Sequence, residues 1–119
     1  MADIVDIFRA LAEENRLRIL SLLMDGEMCV CEIEECLKMT QSNASRHLTA
    51  LKNSGIIDCS KKAQWTYYKI SGKFQEDNEK LWLYLQQKLK ELPGYQKDTI
   101  ECRKCKRQGL CGTGPTVGL

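Results

Sequence analysis

The sequence predicts a small, mainly α-helical domain with one β-hairpin, which is an α+β fold class. Apolar residues recur at helical spacing over most of the first 53 residues, and again from Gly72 to Leu92. Two runs of β-forming residues lie between these regions. With 119 residues, 43% of them hydrophobic, the chain can build one modest core. No apolar run reaches the roughly 18 residues that a membrane-spanning helix needs, so we expect no membrane association.

The first two helices are predicted from their apolar spacing. Ile4, Ile7, Phe8 and Leu11 follow the i, i+3, i+4, i+7 pattern, which indicates an amphipathic helix over residues 3–12. A buried central helix is indicated by apolar residues that lie on more than one face, namely Leu17, Ile19, Leu20, Leu22 and Leu23. We expect Asp25-Gly26 to end it.

The next two helices are predicted to form a helix-turn-helix. Val30, Ile33 and Leu37 make a short apolar stripe, so the third helix should begin near Cys29 or Val30. Thr40 is a suitable N-cap for the fourth helix, which Gly55 should end. Hydrogen-bonding side chains on this fourth helix suit base edges and phosphates, although a generic helical hairpin is the alternative. The candidate DNA-contacting residues are Gln41, Ser42, Asn43, Ser45, Arg46, His47 and Thr49, with His47 alternatively a packing residue at the edge of the apolar stripe.

A basic-tipped hairpin follows and predicts a wing beside the helix-turn-helix. Residues 56–60 and 65–70 are rich in β-formers, and the polar turn between them contains Lys61 and Lys62. These two lysines could reach backbone phosphate. Residues 41–73 contain six basic residues and one acid, whereas residues 1–40 contain four basic residues and nine acids. The basic middle third favours double-stranded DNA as a partner, although a solvated basic face is the simpler alternative.

The C-terminal third is predicted to contain one long helix and a tail. The amphipathic helix from Gly72 to Leu92 should pack with the first helix and with their counterparts in a second subunit. A twofold homodimer would suit a palindromic operator. Pro93-Gly94 should end this helix, and no regular structure is expected after it. We therefore predict a DNA-binding and dimerisation domain over residues 1–92 and a Cys-containing tail over residues 93–119.

Seven cysteines are the strongest chemical signal in the chain. Their odd number and the lack of a secretory signal pattern predict reduced thiols in the cytoplasm. Cys29 and Cys31 form a close pair, and soft thiolates select ions such as As(III), Sb(III), Cd(II), Pb(II) and Zn(II). On a regular helix, side chains two residues apart point about 200° apart. A single ion could then hold both sulfurs only if the first helical turn bent or unwound.

The remaining cysteines leave several interpretations open. Cys36 lies two turns after Cys29, roughly 10 Å away on a helix, which is too far for a shared ion. Packing is the simpler role for Cys36 and Cys59. Cys102, Cys105 and Cys111 form a CxxC followed by a more distant thiol. They could complete the Cys29/Cys31 site, form a second metal site, act as a redox pair, or be spare thiols in the tail.

Over roughly residues 3–92, the sequence resembles the ArsR/SmtB family of metal-responsive repressors. The resemblance is carried by LAEENRLRILSLL, EMCVCEI, SNASRHLTALKNSGII and WTYYKIS. It implies a dimeric winged helix-turn-helix that represses an operon and releases DNA when a metal or metalloid binds. The CVCE segment is similar to the thiol site of the arsenic- and antimony-responsive branch, and of related cadmium- and lead-responsive members, which assigns metal ligation to Cys29 and Cys31. That motif often has a third cysteine three residues after the second, where this chain has Glu34.

The leading hypothesis is therefore a repressor released from operator DNA by As(III) or Sb(III), with no catalytic residues. A Cd(II)- or Pb(II)-responsive repressor using the same pair is an alternative, as is a repressor that senses thiol oxidation. A thiol oxidoreductase using Cys102 and Cys105 is a remote alternative, because the chain lacks the βαβ pattern expected around such a motif. A zinc-stabilised interaction module is the other alternative.

Overall fold

The computed structural model describes residues 3–108, with side chains described for residues 3–104. Its elements confirm the α+β prediction. They are α1 (Ile4–Leu11), α2 (Glu14–Leu23), β1 (Met28–Cys29), α3 (Val30–Leu37), α4 (Gln41–Asn53), β2 (Ile57–Lys62), β3 (Trp65–Ile70), α5 (Gly72–Asp77), α6 (Glu79–Leu89) and α7 (Tyr95–Gln108). Within this part of the chain, no helix is long and apolar enough to cross a membrane.

The second helix, α2, lies at the centre of the core, as its apolar pattern predicts. Ile19 and Leu20 are fully buried, and α2 packs against α1, α3, α4, α6 and α7. Asp3 caps the N-terminus of α1, and its carboxylate accepts a hydrogen bond from the Asp6 backbone N–H at 2.9 Å. Burial of this apolar surface is the main stabilising term for a domain of this size.

The helix-turn-helix prediction is confirmed in α3 and α4. The Thr40 hydroxyl accepts a hydrogen bond from the backbone N–H of Asn43 at 3.2 Å and caps α4. The predicted apolar stripe of Ala44, Leu48 and Leu51 is fully buried. Lys38 adopts a left-handed conformation with φ 55° at the end of α3, so the chain turns sharply before α4 begins.

The wing prediction is also confirmed, with one shift at its tip. β2 and β3 pair antiparallel, and Lys61 and Lys62 end β2 opposite Thr66 and Trp65. The expected position of both lysines in the turn is therefore wrong, because the turn is tighter and contains only residues 63–64.

The short strand β1 is an element that the sequence did not reveal. Met28 and Cys29 pair antiparallel with Tyr68 and Tyr67 of β3, giving the sheet order β1-β3-β2. Two residues are too few to show an alternating pattern, so only the neighbouring strand makes this segment extended.

The predicted continuous helix from Gly72 to Leu92 is wrong, because the chain breaks at Asn78. This residue has φ −130° and ψ 47°, and its side-chain amide donates to the Phe74 carbonyl at 3.3 Å. The backbone N–H of Asn78 donates to the same carbonyl at 3.0 Å, so the last helical bond of α5 is kept before the break. Phe74 of α5 and Trp82 of α6 nevertheless meet edge to face, with ring centroids 6.2 Å apart, so the apolar stripe is buried despite the break.

The expectation of no regular structure after Leu92 is also wrong, because Tyr95–Gln108 forms α7. This helix packs against α3 and α2. Its apolar periodicity is weak: of its described side chains, only those of Asp98 and Cys102 are buried. Tertiary contacts stabilise this helix, and they are not visible in a 3.6-residue apolar pattern.

Candidate nucleic-acid interface and thiol site

The outer face of α4 carries a continuous set of exposed polar side chains. All six candidates other than His47 are exposed: Gln41, Ser42, Asn43, Ser45, Arg46 and Thr49. The opposite face of α4 is buried against the core, so the exposed polar side chains point away from the protein. A helix presented in this way can enter the major groove of DNA.

The surface position expected for His47 is wrong. The residue is 1% exposed, and its Nδ1 accepts a hydrogen bond from Nε of Arg16 at 3.2 Å. Burial is the largest cause that lowers the pKa of His47, and the positive charge of Arg46 lowers it further. The N-terminal part of α2 covers this edge of α4, so the packing interpretation of His47 is the one that fits. The sequence could not show this contact, because the two residues are 31 positions apart.

The two wing lysines differ in their surroundings. Lys61 and Lys62 are both exposed, but Lys62 forms an ion pair with Glu27, just before β1, and its Nζ lies 5.1 Å from the Tyr67 ring centroid. Phosphate would have to compete with the Glu27 carboxylate for Lys62.

Cys29 is the N-cap residue of α3 and is 0% exposed. Its backbone N–H donates to the Glu32 carboxylate at 2.9 Å, and its sulfur accepts from the Glu32 backbone N–H, which completes a capping box. Burial is the largest cause that raises the pKa of the Cys29 thiol, and backbone hydrogen bonds from Cys31 and Glu32 oppose it. Ligation by the thiolate would therefore require the side chain to leave this buried cap.

Cys31 is half-buried in the first turn of α3 and is disulfide-bonded. The expectation of reduced thiols is therefore wrong at this residue, while Cys29 and Cys59 are free thiols. Because Cys29 belongs to β1 and has an extended backbone, with φ −72° and ψ 149°, the regular-helix geometry assumed for the pair applies only to Cys31.

The other cysteines lie in three different environments. Cys36 is buried in the core, which fits the packing interpretation, and Cys59 is half-buried on the wing strand β2. Cys102 is 2% exposed, and its sulfur lies 3.7 Å from the Met28 sulfur, so α7 brings it beside β1. The side chain of Cys105 and the whole of Cys111 lie outside the described residues.

An ion pair that the sequence did not indicate holds α7 against α2. Nε and Nη2 of Arg18 donate to the two carboxylate oxygens of Asp98 at 2.9 and 3.0 Å, and Asp98 is 3% exposed. This paired geometry is the strong, directional form of an arginine–carboxylate contact. Farther along α7, Glu101 lies 3.9 Å from Nζ of Lys38. These contacts fix the position of α7 beside α3.

The thiol chemistry fits a soft metal ion, but the ligands are not assembled for one. Cysteine sulfurs from β1, α3 and α7 lie around the start of α3, and as thiolates they would suit a soft ion. In the described part of the chain, no three His, Cys, Asp or Glu residues form a group that could hold a metal ion. Metal binding at Cys29 and Cys31 would need reduction of Cys31 and a local rearrangement.

Comparisons with known proteins show what the helix-turn-helix segment and the fold are similar to. The profile of the family described as "Bacterial regulatory protein, arsR family" matches residues 13–58, which include α2, α3 and α4. The chain is 40% identical over 65 residues to the arsenic resistance transcriptional regulator ArsR1 of Pseudomonas putida, covering 54% of this chain and 51% of that protein. It is 35% identical over 69 residues to the cadmium resistance regulatory protein CadC homolog of Staphylococcus aureus, covering 57% of each chain. The chain thus spans just over half the length of these two relatives.

A solved structure extends the likeness over more of the fold. The solution structure of the homodimeric winged helix-turn-helix DNA-binding domain of a possible ArsR-family transcriptional regulator from Mycobacterium bovis is similar, with a TM-score of 0.62 and 35% identity. The similarity covers 70% of this chain and 74% of that one. With the matching profile and the winged helix-turn-helix of α3, α4, β2 and β3, this shows that the chain belongs to the arsR family of bacterial regulatory proteins.

Proposed function

We propose that this protein is a transcriptional repressor that binds operator DNA as a homodimer and dissociates when As(III) or Sb(III) binds to Cys29 and Cys31. The observation that carries this proposal is the position of Cys29. Its thiol caps α3, and α3 leads through a three-residue turn into α4, which presents the exposed polar face. Chemistry at the thiol can therefore act directly on the helix-turn-helix.

The proposed DNA surface combines α4 with the wing. Arg46 and its exposed neighbours on α4 would contact base edges and phosphates, and Lys61 would contact backbone phosphate beside them. The basic charge of residues 41–73 supports this assignment. Since operator DNA is the partner, we place the protein's action in the cytoplasm.

The proposed dimer interface is an exposed apolar surface on α1 and α6. Five large hydrophobic side chains are each more than half exposed there: Ile4, Val5, Phe8, Leu83 and Tyr84. Exposed apolar side chains at this density are typical of a surface that another subunit covers. The domain of the Mycobacterium bovis relative is homodimeric, which supports a homodimer here.

The proposed release mechanism is loss of the cap at α3. When Cys29 binds an ion, its sulfur no longer accepts the Glu32 backbone N–H, so the first turn of α3 loses one of its capping bonds. A shift of α3 would then change the orientation of α4. A coupling of about 2.7 kcal/mol between the two binding events suffices for 100-fold weaker operator binding.

The choice of As(III) or Sb(III) over other soft ions rests on the thiol donors and on the arsenic-responsive relative. The same Cys29/Cys31 pair suits Cd(II) or Pb(II), and the cadmium-resistance relative keeps that alternative open. Zn(II) is the weaker alternative. The boundary between residues 1–92 and 93–119 stays a prediction, although α7 packs on α3.

The test is operator release by the reduced protein. Cys31 is first reduced with a phosphine, which does not compete for arsenite as a thiol would. Arsenite, antimonite, cadmium, lead and zinc are then titrated separately into the protein–operator complex. We expect arsenite and antimonite to release the operator at the lowest concentrations. Unchanged operator affinity in all five titrations would contradict the proposal, and release by cadmium or lead alone would favour the alternative.

A redox-sensing repressor is a second candidate, and the disulfide at Cys31 specifically favours it. In this reaction two thiols lose two electrons and two protons to form a disulfide, and a peroxide is reduced to two molecules of water or to water and an alcohol. Reversible release of the operator by hydrogen peroxide in metal-free buffer would support this candidate. Release by arsenite but not by peroxide would exclude it.

A further inference from the structure

We propose that Glu13 positions Arg46 so that its guanidinium contacts a guanine base rather than a phosphate. This inference rests on the proposed function, because it concerns how α4 reads operator DNA. Arg46 lies on the exposed face of α4, whereas Glu13 lies at the start of α2. The residue that selects the base contact thus lies outside the helix-turn-helix.

Glu13 occupies the N-cap position of α2, but its side chain does not cap that helix. Its backbone is extended, with φ −134° and ψ 133°, as is usual for an N-cap. Side chains that are preferred at this position, such as Asp or Ser, accept a hydrogen bond from the first turn of their own helix. The Glu13 side chain forms no such bond with α2, all of whose residues the structure describes. Its carboxylate faces Arg16 and α4 instead.

The two carboxylate oxygens of Glu13 face different groups. Oε2 lies 3.0 Å from Nη2 of Arg16, whose side chain is only 12% exposed. Oε1 lies 4.0 Å from Nη1 of Arg46 and 3.9 Å from Nδ1 of His47. The Arg46 side chain is 57% exposed. Arg16 therefore anchors the carboxylate to the protein, and Arg46 is the partner that is open to DNA.

His47 does not offer Arg46 a hydrogen-bond acceptor. Nδ1 of His47 accepts a hydrogen bond from Nε of Arg16, so in the neutral ring the proton is on Nε2. Nη2 of Arg46 lies 3.4 Å from this Nε2, and N–H donors face each other there. Within this cluster, the Glu13 carboxylate is therefore the group that attracts the Arg46 guanidinium.

The geometry of arginine allows a second contact on the DNA. A guanidinium carries five N–H donors in a planar fork, and the Glu13 oxygen faces only one terminal nitrogen of Arg46. The other donors can form the bidentate contact with O6 and N7 of guanine, which is the most common specific contact in the major groove. Arg46 can therefore face Glu13 and a guanine at the same time.

The charge of Glu13 disfavours a phosphate at the same place. A phosphate that approached Arg46 there would lie close to the Glu13 carboxylate, and like charges at short distance repel each other. The edge of guanine is uncharged, so the carboxylate opposes it much less. Glu13 therefore directs Arg46 towards a base and leaves the phosphate contact to Lys61 of the wing.

Pairing with Glu13 also reduces the freedom that Arg46 loses when DNA binds. An exposed arginine samples many rotamers, and its ordering at an interface opposes binding. Because Arg16 anchors the carboxylate, Glu13 limits the directions in which the Arg46 guanidinium can point. This argument assigns Glu13 a positioning role, without a contact of its own to DNA.

The test is selection of binding sequences from a randomised DNA library by the reduced, full-length protein and its variants. We expect the wild type to prefer guanine at one position of each half-site, which Arg46→Ala identifies by losing that preference. In Glu13→Gln the preference should fall about three- to tenfold, at unchanged affinity for scrambled DNA. Glu14→Gln is the matched control, because it removes the same charge from the next, exposed residue and should select as the wild type does.

Unchanged guanine preference in Glu13→Gln, or an equal fall in Glu14→Gln, would overturn the proposal. So would an equal loss of affinity for scrambled DNA in Glu13→Gln, since a folding defect would weaken binding to every sequence. Loss of preference for a base other than guanine in Arg46→Ala would overturn it as well.

A double variant and a modified base show whether Glu13 acts through Arg46. Glu13→Gln should cause no further change in sequence preference when it is combined with Arg46→Ala. Replacement of the selected guanine by 7-deazaguanine, which lacks the N7 acceptor, should weaken binding by the wild type but not by Arg46→Ala. A further loss in the double variant, or equal weakening of both proteins by the modified base, would contradict the proposed contact.

The outcomes also separate this inference from the proposed function. A wild type that selects an operator-like sequence, with Glu13→Gln selecting it equally well, would contradict the role of Glu13 and leave the repressor proposal standing. A wild type that selects no sequence would contradict operator binding itself, and this inference with it.

Discussion

Arg16 of α2 donates a hydrogen bond from Nε to Nδ1 of the buried His47 in α4, over 3.2 Å. The same guanidinium lies 3.0 Å from the Glu13 carboxylate and 3.5 Å from the carbonyls of Arg9 and Ala10. One side chain therefore connects the end of α1, the start of α2 and α4. This contact sets how α4 is held on the core, and His47 must remain neutral at Nδ1 to accept the bond.

We expect acid to destabilise the protein through His47. Burial lowers the pKa of His47 below its ordinary value of 6.5, so the unfolded state binds a proton more readily than the native state. Stability is therefore lost as the pH falls from about 6.5 towards the lower native pKa. Urea unfolding followed from pH 7 to pH 5 measures the change. In the variant His47→Gln, the free energy of unfolding should depend much less on pH between pH 7 and pH 5. Equal pH dependence in the variant and the wild type would contradict the role of His47.

Arg46→Ala should weaken operator binding by about 1–3 kcal/mol, as expected for loss of a base-contacting arginine. Arg46 is exposed on the outer face of α4, and its loss should also relax sequence preference at one position. Titration of wild-type and variant protein against operator and scrambled DNA measures both effects. Lys73→Ala on α5 is a suitable control, since Lys73 is also exposed. Unchanged binding by Arg46→Ala would exclude this face of α4.

Lys61→Ala should reduce the salt dependence of DNA binding without changing sequence preference. A phosphate contact contributes about one unit to the slope of log affinity against log salt. Lys62→Ala should have the smaller effect, because Lys62 already pairs with Glu27. The slopes are measured between low and moderate salt on the same operator. A larger effect at Lys62 than at Lys61 would argue against the proposed wing contact.

Asp98→Asn should lower the free energy of unfolding by about 2 kcal/mol, because it removes charged hydrogen bonds to Arg18. The partly exposed guanidinium can recover some solvation, which limits the loss. The exposed Lys73–Asp77 pair provides the comparison, and Asp77→Asn should change stability by less than about 0.5 kcal/mol. Denaturant unfolding of both variants measures the difference, and equal losses would show that the Arg18–Asp98 pair contributes no more to stability than an exposed ion pair.

Cys29→Ser should retain operator binding but lose most of its release by arsenite. A serine hydroxyl can replace the sulfur as the cap of α3, whereas it is a poor ligand for a soft ion. Operator titration of the reduced variant, with and without arsenite, measures the two properties separately. Full release in Cys29→Ser would show that the ion acts without this residue.

Local patterns were sufficient to predict most of the helices and both wing strands. The stripe of Ala44, Leu48 and Leu51 and the cap at Thr40 predicted α4, and both are present. The break at Asn78 is not predicted by the sequence pattern, because the apolar stripe continues on both sides of it. The strand β1 was missed because two residues carry no period.

The sequence alone determined the helix-turn-helix, the wing, the polar face of α4 and the close spacing of Cys29 and Cys31. These are local properties, since capping, apolar spacing and turn chemistry act over a few residues. Only the tertiary structure decided that His47 is buried under Arg16, that Cys29 caps α3, and that α7 brings Cys102 beside β1. The contacts of His47 and of Cys102 join residues 31 and 74 positions apart, and they depend on the packing of whole helices, which no short-range pattern encodes.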